Sequence, residues 1–175
     1  METTYQYLGH FKCRKKGAAD LIEKIRELED KGVFIQPYPC SIVISENILD
    51  IAANLALEDF QKGYNRAKKI STEFLLRISG MSQIKEAIDK VFSREYDVYY
   101  MVVFAVRDIT LEEVKNLLSD ICDFREVDCE IDLNEIKAIY DISENEIRSV
   151  LRTGESLEEA LMKMVLEKMA LSIFM

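Results

Sequence analysis

The sequence predicts one α+β domain over residues 1–175, a sandwich in which a mixed, largely antiparallel sheet is packed with several helices. Three observations carry this. Residues 98–106 form an unbroken apolar run of strand length, as expected of a central strand covered on both faces. Several other segments repeat apolar residues at helical spacing. Strand-like and helical segments also follow one another without the regular β-α-β alternation of a parallel sheet.

Residues 4–12 alternate aromatic and polar side chains and read as the first strand. Ala18, Leu21, Ile22, Ile25 and Leu28 then share a helical face, and Gly32 stands where that helix should stop. Residues 33–35 and 41–45 are short β-rich runs separated by Pro37 and Pro39. Ile48, Ile51, Ala52, Leu55 and Ala56 mark a second amphipathic helix. Residues 73–78 read as a strand ended by Ser79 and Gly80, after which Ile84, Ala87, Ile88 and Val91 restore the helical period. Beyond residues 98–106 come a helix on Leu111, Val114, Leu117, Leu118 and Ile121, a short strand near 126–130, and helical segments from about Leu133 to the end.

With 175 residues, 49% of them hydrophobic, the chain has enough apolar material for a core without disulfides or a structural metal. Cys13, Cys40, Cys122 and Cys129 lack Cys-x-x-Cys spacing and are expected to be reduced, mostly buried thiols. No apolar stretch reaches the roughly 18 residues of a membrane span, and the first ten residues lack the order of a secretory signal. The expectation is a cytoplasmic protein with no membrane partner.

The net charge of −9 is unevenly spread. Residues 108–167 hold seventeen acids and six bases, a net of −11, which leaves +2 for the remainder. Two windows carry four cations and no acid each: residues 12–16 (Lys12, Arg14, Lys15, Lys16) and residues 62–69 (Lys62, Arg66, Lys68, Lys69). Local potential rather than net charge steers a ligand, so an acidic chain still offers anion-binding surface.

Chemistry-bearing motifs are scarce. His10 is the only histidine, and Cys13, three residues on, falls on the opposite face of a strand, which disfavours a nucleophile–base pair. Neither a Walker-type loop nor Gly-x-Gly-x-x-Gly occurs, and the acidic runs lack the central glycine and final glutamate of a calcium loop. No catalytic residue, metal ligand or cofactor is expected.

The informative segment runs over residues 48–92, centred on Ile78-Ser79-Gly80-Met81-Ser82-Gln83-Ile84, followed by Lys85, Ala87 and Ile88. As a strand, a tight turn and a helix start, with Ser79 or Ser82 as cap, it would offer unpaired amides and a closely approachable glycine to an anion. Its Ile-Ser-Gly-x-x-Gln-Ile pattern leading into Ala-Ile resembles the hallmark of the archaeal-type small kinase-binding subunit of the KEOPS tRNA-modification complex, the PRPK-binding protein (TPRKB) family. Residues 55–57, residues 65–76 and the stretch 165–171 look like further parts of that family, while residues 12–16 match it poorly.

The resemblance implies a non-catalytic subunit of the machinery for threonylcarbamoyladenosine in tRNA. Such a subunit binds the complex's atypical kinase/ATPase, meets the other KEOPS subunits indirectly, and recruits tRNA through its 3′ CCA end. On this reading Lys62, Arg66, Lys68, Lys69, Arg77 and Lys85 meet phosphates, with Lys62, Arg66 and Lys69 on one helical face if helix persists past Gly63. Ile78, Ser79, Gly80, Gln83 and Ile84 hold the RNA end, and Tyr64 adds a stacking surface. The last helix carries two apolar stripes. One, with Met162, Val165, Leu166, Met169, Ala170 and Ile173, continues to Phe174 and faces the kinase, while Leu157, Ala160, Leu161, Met164 and Leu171 form the other. The competing readings are a protein-binding scaffold that activates the kinase without touching RNA, and a small hydrolase using His10 and Cys13.

Overall fold

The computed structural model describes residues 3–17, 20–125 and 127–172, and the sheet is organised around the apolar run identified above. That run is strand β3 (Val98–Ala105), which lies between β1 (Gln6–Lys15) and β2 (Val33–Pro39), while β4 (Cys122–Asp123) pairs with the far side of β1. Every neighbouring pair in the order β2-β3-β1-β4 is antiparallel. The alternation of side chains along β3 explains its composition. Met101, Val103 and Ala105 enter one core, and Tyr100, Val102 and Phe104 enter the other. A fully buried side chain such as Phe104 contributes about 1.5–3 kcal/mol.

The first core is closed by α1 (Leu21–Asp30) and α5 (Leu111–Leu117), through Leu28, Val114 and the following Leu118. The second, larger core is built from α2 (Glu46–Lys62), α3 (Ile70–Ser79), α4 (Ile84–Val91), α6 (Leu133–Ile139), α7 (Glu144–Val150) and α8 (Leu157–Leu171). The fold is thus α+β, with helices on both faces of an antiparallel sheet.

Three local expectations need correction. Residues 73–78 are not a strand but the middle of α3, which packs beneath the sheet and buries nine of its ten residues. A helix buried all round has no polar face, and a short apolar run is then indistinguishable from a buried strand by periodicity. Pro37 and Pro39 do not split a strand, because β2 runs through both to Pro39. It is an edge strand of the sheet, where a missing amide hydrogen is tolerated. The short strand near 126–130 is also displaced. Its residues 127–130 are irregular, Glu126 lies outside the described residues, and the pairing segment is β4 instead. Ala18, placed on the first helical face above, likewise lies outside the described residues.

The cysteines are paired rather than free. Cys13 on β1 is bonded to Cys122 on β4, and Cys40 to Cys129, with Cα separations of 5.1 and 6.1 Å. The absence of Cys-x-x-Cys spacing excludes local chelation but carries no information on partners 109 and 89 residues away. Both bonds clasp residues 122–129, a stretch with little regular structure of its own, to the sheet and to the turn after β2. Closing such long loops stabilises the fold by about 2–4 kcal/mol per bond. Reduction is therefore expected to lower the melting temperature by roughly 5–15 °C. Alkylation of the native protein before and after reduction, read by mass spectrometry, tests the pairing, and four thiols reactive without reductant would refute it.

Candidate functional site

Helix α2 stops at Lys62. Gly63 takes a left-handed conformation (φ 70°), and its amide and that of Tyr64 turn back onto the carbonyls of Phe60 and Asp59. Helix does not persist past Gly63, so Lys62, Arg66 and Lys69 do not share a helical face. Lys62 instead pairs with Glu58 one turn earlier, and Lys69 reaches across to Glu29 at 2.5 Å. Lys68 is exposed, and Tyr64 is 60% exposed.

Arg66 has another task. Its Nε and Nη2 donate to Glu73 Oε1 at 3.2 and 3.1 Å, while the Arg66 and Ala67 amides donate to Glu73 Oε2 at 2.7 and 2.8 Å. The remaining nitrogen, Nη1, donates to the carbonyls of Met81 (3.2 Å) and Ser172 (2.9 Å). One guanidinium thus holds together the basic loop, the turn after α3 and the residue that follows α8.

Arg77, Ile78 and Ser79 are buried and cannot reach RNA directly, which corrects their assignment. Arg77 donates through Nε and Nη2 to Asp59 on α2, both at 2.6 Å, and through Nη1 to the Met169 carbonyl of α8 at 3.4 Å. Ile78 lies in the core and its carbonyl accepts from the Tyr140 hydroxyl. The Ser79 hydroxyl turns back to the Leu76 carbonyl at 3.3 Å. Gly80 caps α3 at φ 66°, and a Cβ there would meet the backbone of Lys168 in α8 at 3.3 Å. The glycine is therefore required by the turn and by close approach of α8, not by a ligand. The N-cap of α4 is Gln83, and neither Ser79 nor Ser82 caps it. Gln83, Ile84 and Lys85 are exposed, as is Ile88 one turn on, with Ile84 at 40% and Ile88 at 46%.

The last helix also divides differently. Val165 and Met169, assigned above to the kinase, are in the core with Leu161 and Met164 from the other stripe. Burial draws on both stripes because α8 lies in a groove against α3 and α7, so Leu166 is half-buried and only Ala170 and Leu171, in the final turn, are exposed. Ile173 and Phe174 lie outside the described residues. The hydrolase reading fails on geometry. Cys13 is bonded to Cys122 in the first core, whereas His10 faces α2, with Nδ1 3.0 Å from the Tyr7 hydroxyl and 3.3 Å from Asp50.

Asp59 and Glu73 were missed as organisers of this region. Asp59 had a signal, since it continues the buried series of Ala52 and Ala56 on α2 and a carboxylate on an apolar face needs a buried cation. Removing one member of such a pair costs about 3–5 kcal/mol, because the other is left buried and unmatched. Arg77→Ala is expected to lose stability of that order in urea unfolding, whereas Lys85→Ala changes it by less than about 0.5 kcal/mol. Combining Asp59→Leu with Arg77→Met should cost less than Arg77→Ala alone.

The exposed ends of α4 and α8 and the adjoining basic loop form a surface of mixed apolar and cationic character, suited to macromolecular partners rather than to a reaction. Among the described residues, no helix is long and apolar enough to cross a membrane, and no three or more His, Cys, Asp or Glu side chains gather around a metal position. No individually curated protein matches the chain. The family described as Kinase binding protein CGI-121 matches residues 16–172, nearly the whole chain from the end of β1 onward. On that match, the chain belongs to the CGI-121 family of kinase-binding proteins.

Proposed function

We propose that this chain is a non-catalytic, cytoplasmic subunit of a KEOPS-type complex for tRNA threonylcarbamoyladenosine synthesis, binding the complex's atypical kinase/ATPase and recruiting tRNA by its 3′ CCA end. The observation that carries the proposal is the Arg66 clasp. It fixes the basic loop, the Ser-Gly turn and the end of α8 as neighbours, so one face carries a cationic strip beside apolar residues. The phosphates of the tRNA tail track Lys62, Lys68, Lys69 and Lys85, and Gln83 and Ile84 flank their path. Phosphate contacts of this kind supply affinity without reading sequence. The kinase meets the exposed apolar positions at Ile88, Ala170 and Leu171, and through it the chain joins the other subunits.

A tRNA transcript is expected to bind, more weakly at higher salt, and the same transcript lacking CCA is expected to lose most of that binding in a filter or anisotropy assay. Equal binding to both, or none to either, would favour a scaffold that activates the kinase without touching RNA. The double charge reversal Lys68→Glu and Lys69→Glu separates these readings, since it should abolish tRNA binding while leaving kinase capture intact. Leu171→Arg should do the reverse, weakening kinase pull-down at least about tenfold through an unmatched charge in an apolar contact.

A further inference from the structure

We infer that a slot between the first residues of the chain and the last turns of α2 receives one unpaired nucleotide of a single-stranded RNA end. This rests on the RNA reading above and deepens it, because it moves the base-holding site away from the Ser-Gly turn. The turn offers little to a base, with Arg77, Ile78 and Ser79 buried and already engaged.

The slot has a volume of about 410 Å³ and is lined by Thr4, Tyr5, Leu57, Phe60, Gln61 and Lys68 among others. That lies within the range of small-ligand sites and is ample for one nucleotide. The Tyr5 and Phe60 rings stand 5.1 Å apart at 76°, forming a corner. A flat base entering it stacks on one ring and meets the edge of the other. The exposed Gln61 carries both an amide donor and an acceptor, able to pair with a base edge, and Thr4 adds a hydroxyl. Burial first, and Glu29 second, hold the Tyr5 hydroxyl above its ordinary pKa, so it remains a donor although nearby Lys69 opposes the shift.

The cations discriminate further. Lys62 and Lys69 pair with Glu58 and Glu29, but Lys68 has no carboxylate within ion-pair distance among the described residues. It stands at the slot with its charge available to a phosphate. One aromatic corner, one amide and one free cation match a single extruded nucleotide, whereas a duplex keeps its base faces stacked and out of reach. Thr4 and Tyr5 precede Lys16, where the family match begins, so part of the slot is built by a strand outside that match.

The chain has no tryptophan, so Leu57→Trp places a single reporter in the slot. Titration with a synthetic single-stranded RNA hexamer ending in CCA is expected to quench it saturably, and the same sequence in a blunt duplex is not. In parallel, anisotropy of the fluorescein-labelled hexamer with the otherwise unaltered chain needs no reporter substitution. There, Phe60→Leu and Lys68→Glu should each weaken binding about tenfold, with melting temperatures measured to check folding. RNA binding that survives both substitutions would overturn the slot and leave the RNA reading standing. Equal binding of the duplex would overturn the preference for an unpaired nucleotide. Absence of binding to the hexamer and to whole tRNA would remove both proposals.

Discussion

Glu73 has no solvent exposure, and a carboxylate taken out of water must have its charge met by donors arranged around it. Two backbone amides and two guanidinium nitrogens do so, and this requirement organises half the molecule. It bends the chain after α2 into a loop that returns to α3. It fixes Arg66 in the one orientation that leaves Nη1 free for the Met81 and Ser172 carbonyls. The second buried pair, Arg77 with Asp59, repeats the arrangement one turn further along α3 and reaches α8 at Met169. Buried ion pairs contribute little net stability, since desolvation offsets attraction, but they are intolerant of any other geometry. Here they specify how α2, α3 and α8 meet.

Much of the fold could be read from local pattern because local pattern caused it. β3 is apolar throughout since both its faces are buried, and α2, α4 and α5 show the helical period since each has one face in water. The failures share a physical cause. Residues 73–78 lost their helical signature through complete burial, so that Phe74, Leu75, Leu76 and Ile78 resembled a strand. Pro37 and Pro39 looked like breakers because a sequence does not disclose that β2 is an edge. The cysteine pairs join residues brought together only by the sheet and by the turn after β2, and no spacing rule reaches that far.

The site was less legible than the fold. A count of cations identified the basic loop, yet it could not tell a charge facing water from one consumed internally. Arg66 and Arg77 are spent on Glu73 and Asp59, while Lys68 is left unpaired among the described residues. The turn motif was recognised, but the structural reason for its glycine lies 88 residues away in the backbone of Lys168. The other basic window, at residues 12–16, stands at the opposite end of β1 from Tyr5, about 30 Å away at the rise of a strand, and takes no part in the same surface.

The two arginines hold the end of α8 by its carbonyls, at Met169 and Ser172, and not by its side chains. A grip on main-chain oxygen is blind to residue identity. The exposed positions of the last turn can therefore be rewritten freely, by drift or by design, without loosening the helix from its seat. Shortening the chain by a few residues has a different result, because it strips two buried guanidinium groups of acceptors that no substitution elsewhere supplies. The terminus is thus tolerant in composition and strict in length, a division that lets a binding surface diverge to suit a changing partner while its mounting stays fixed.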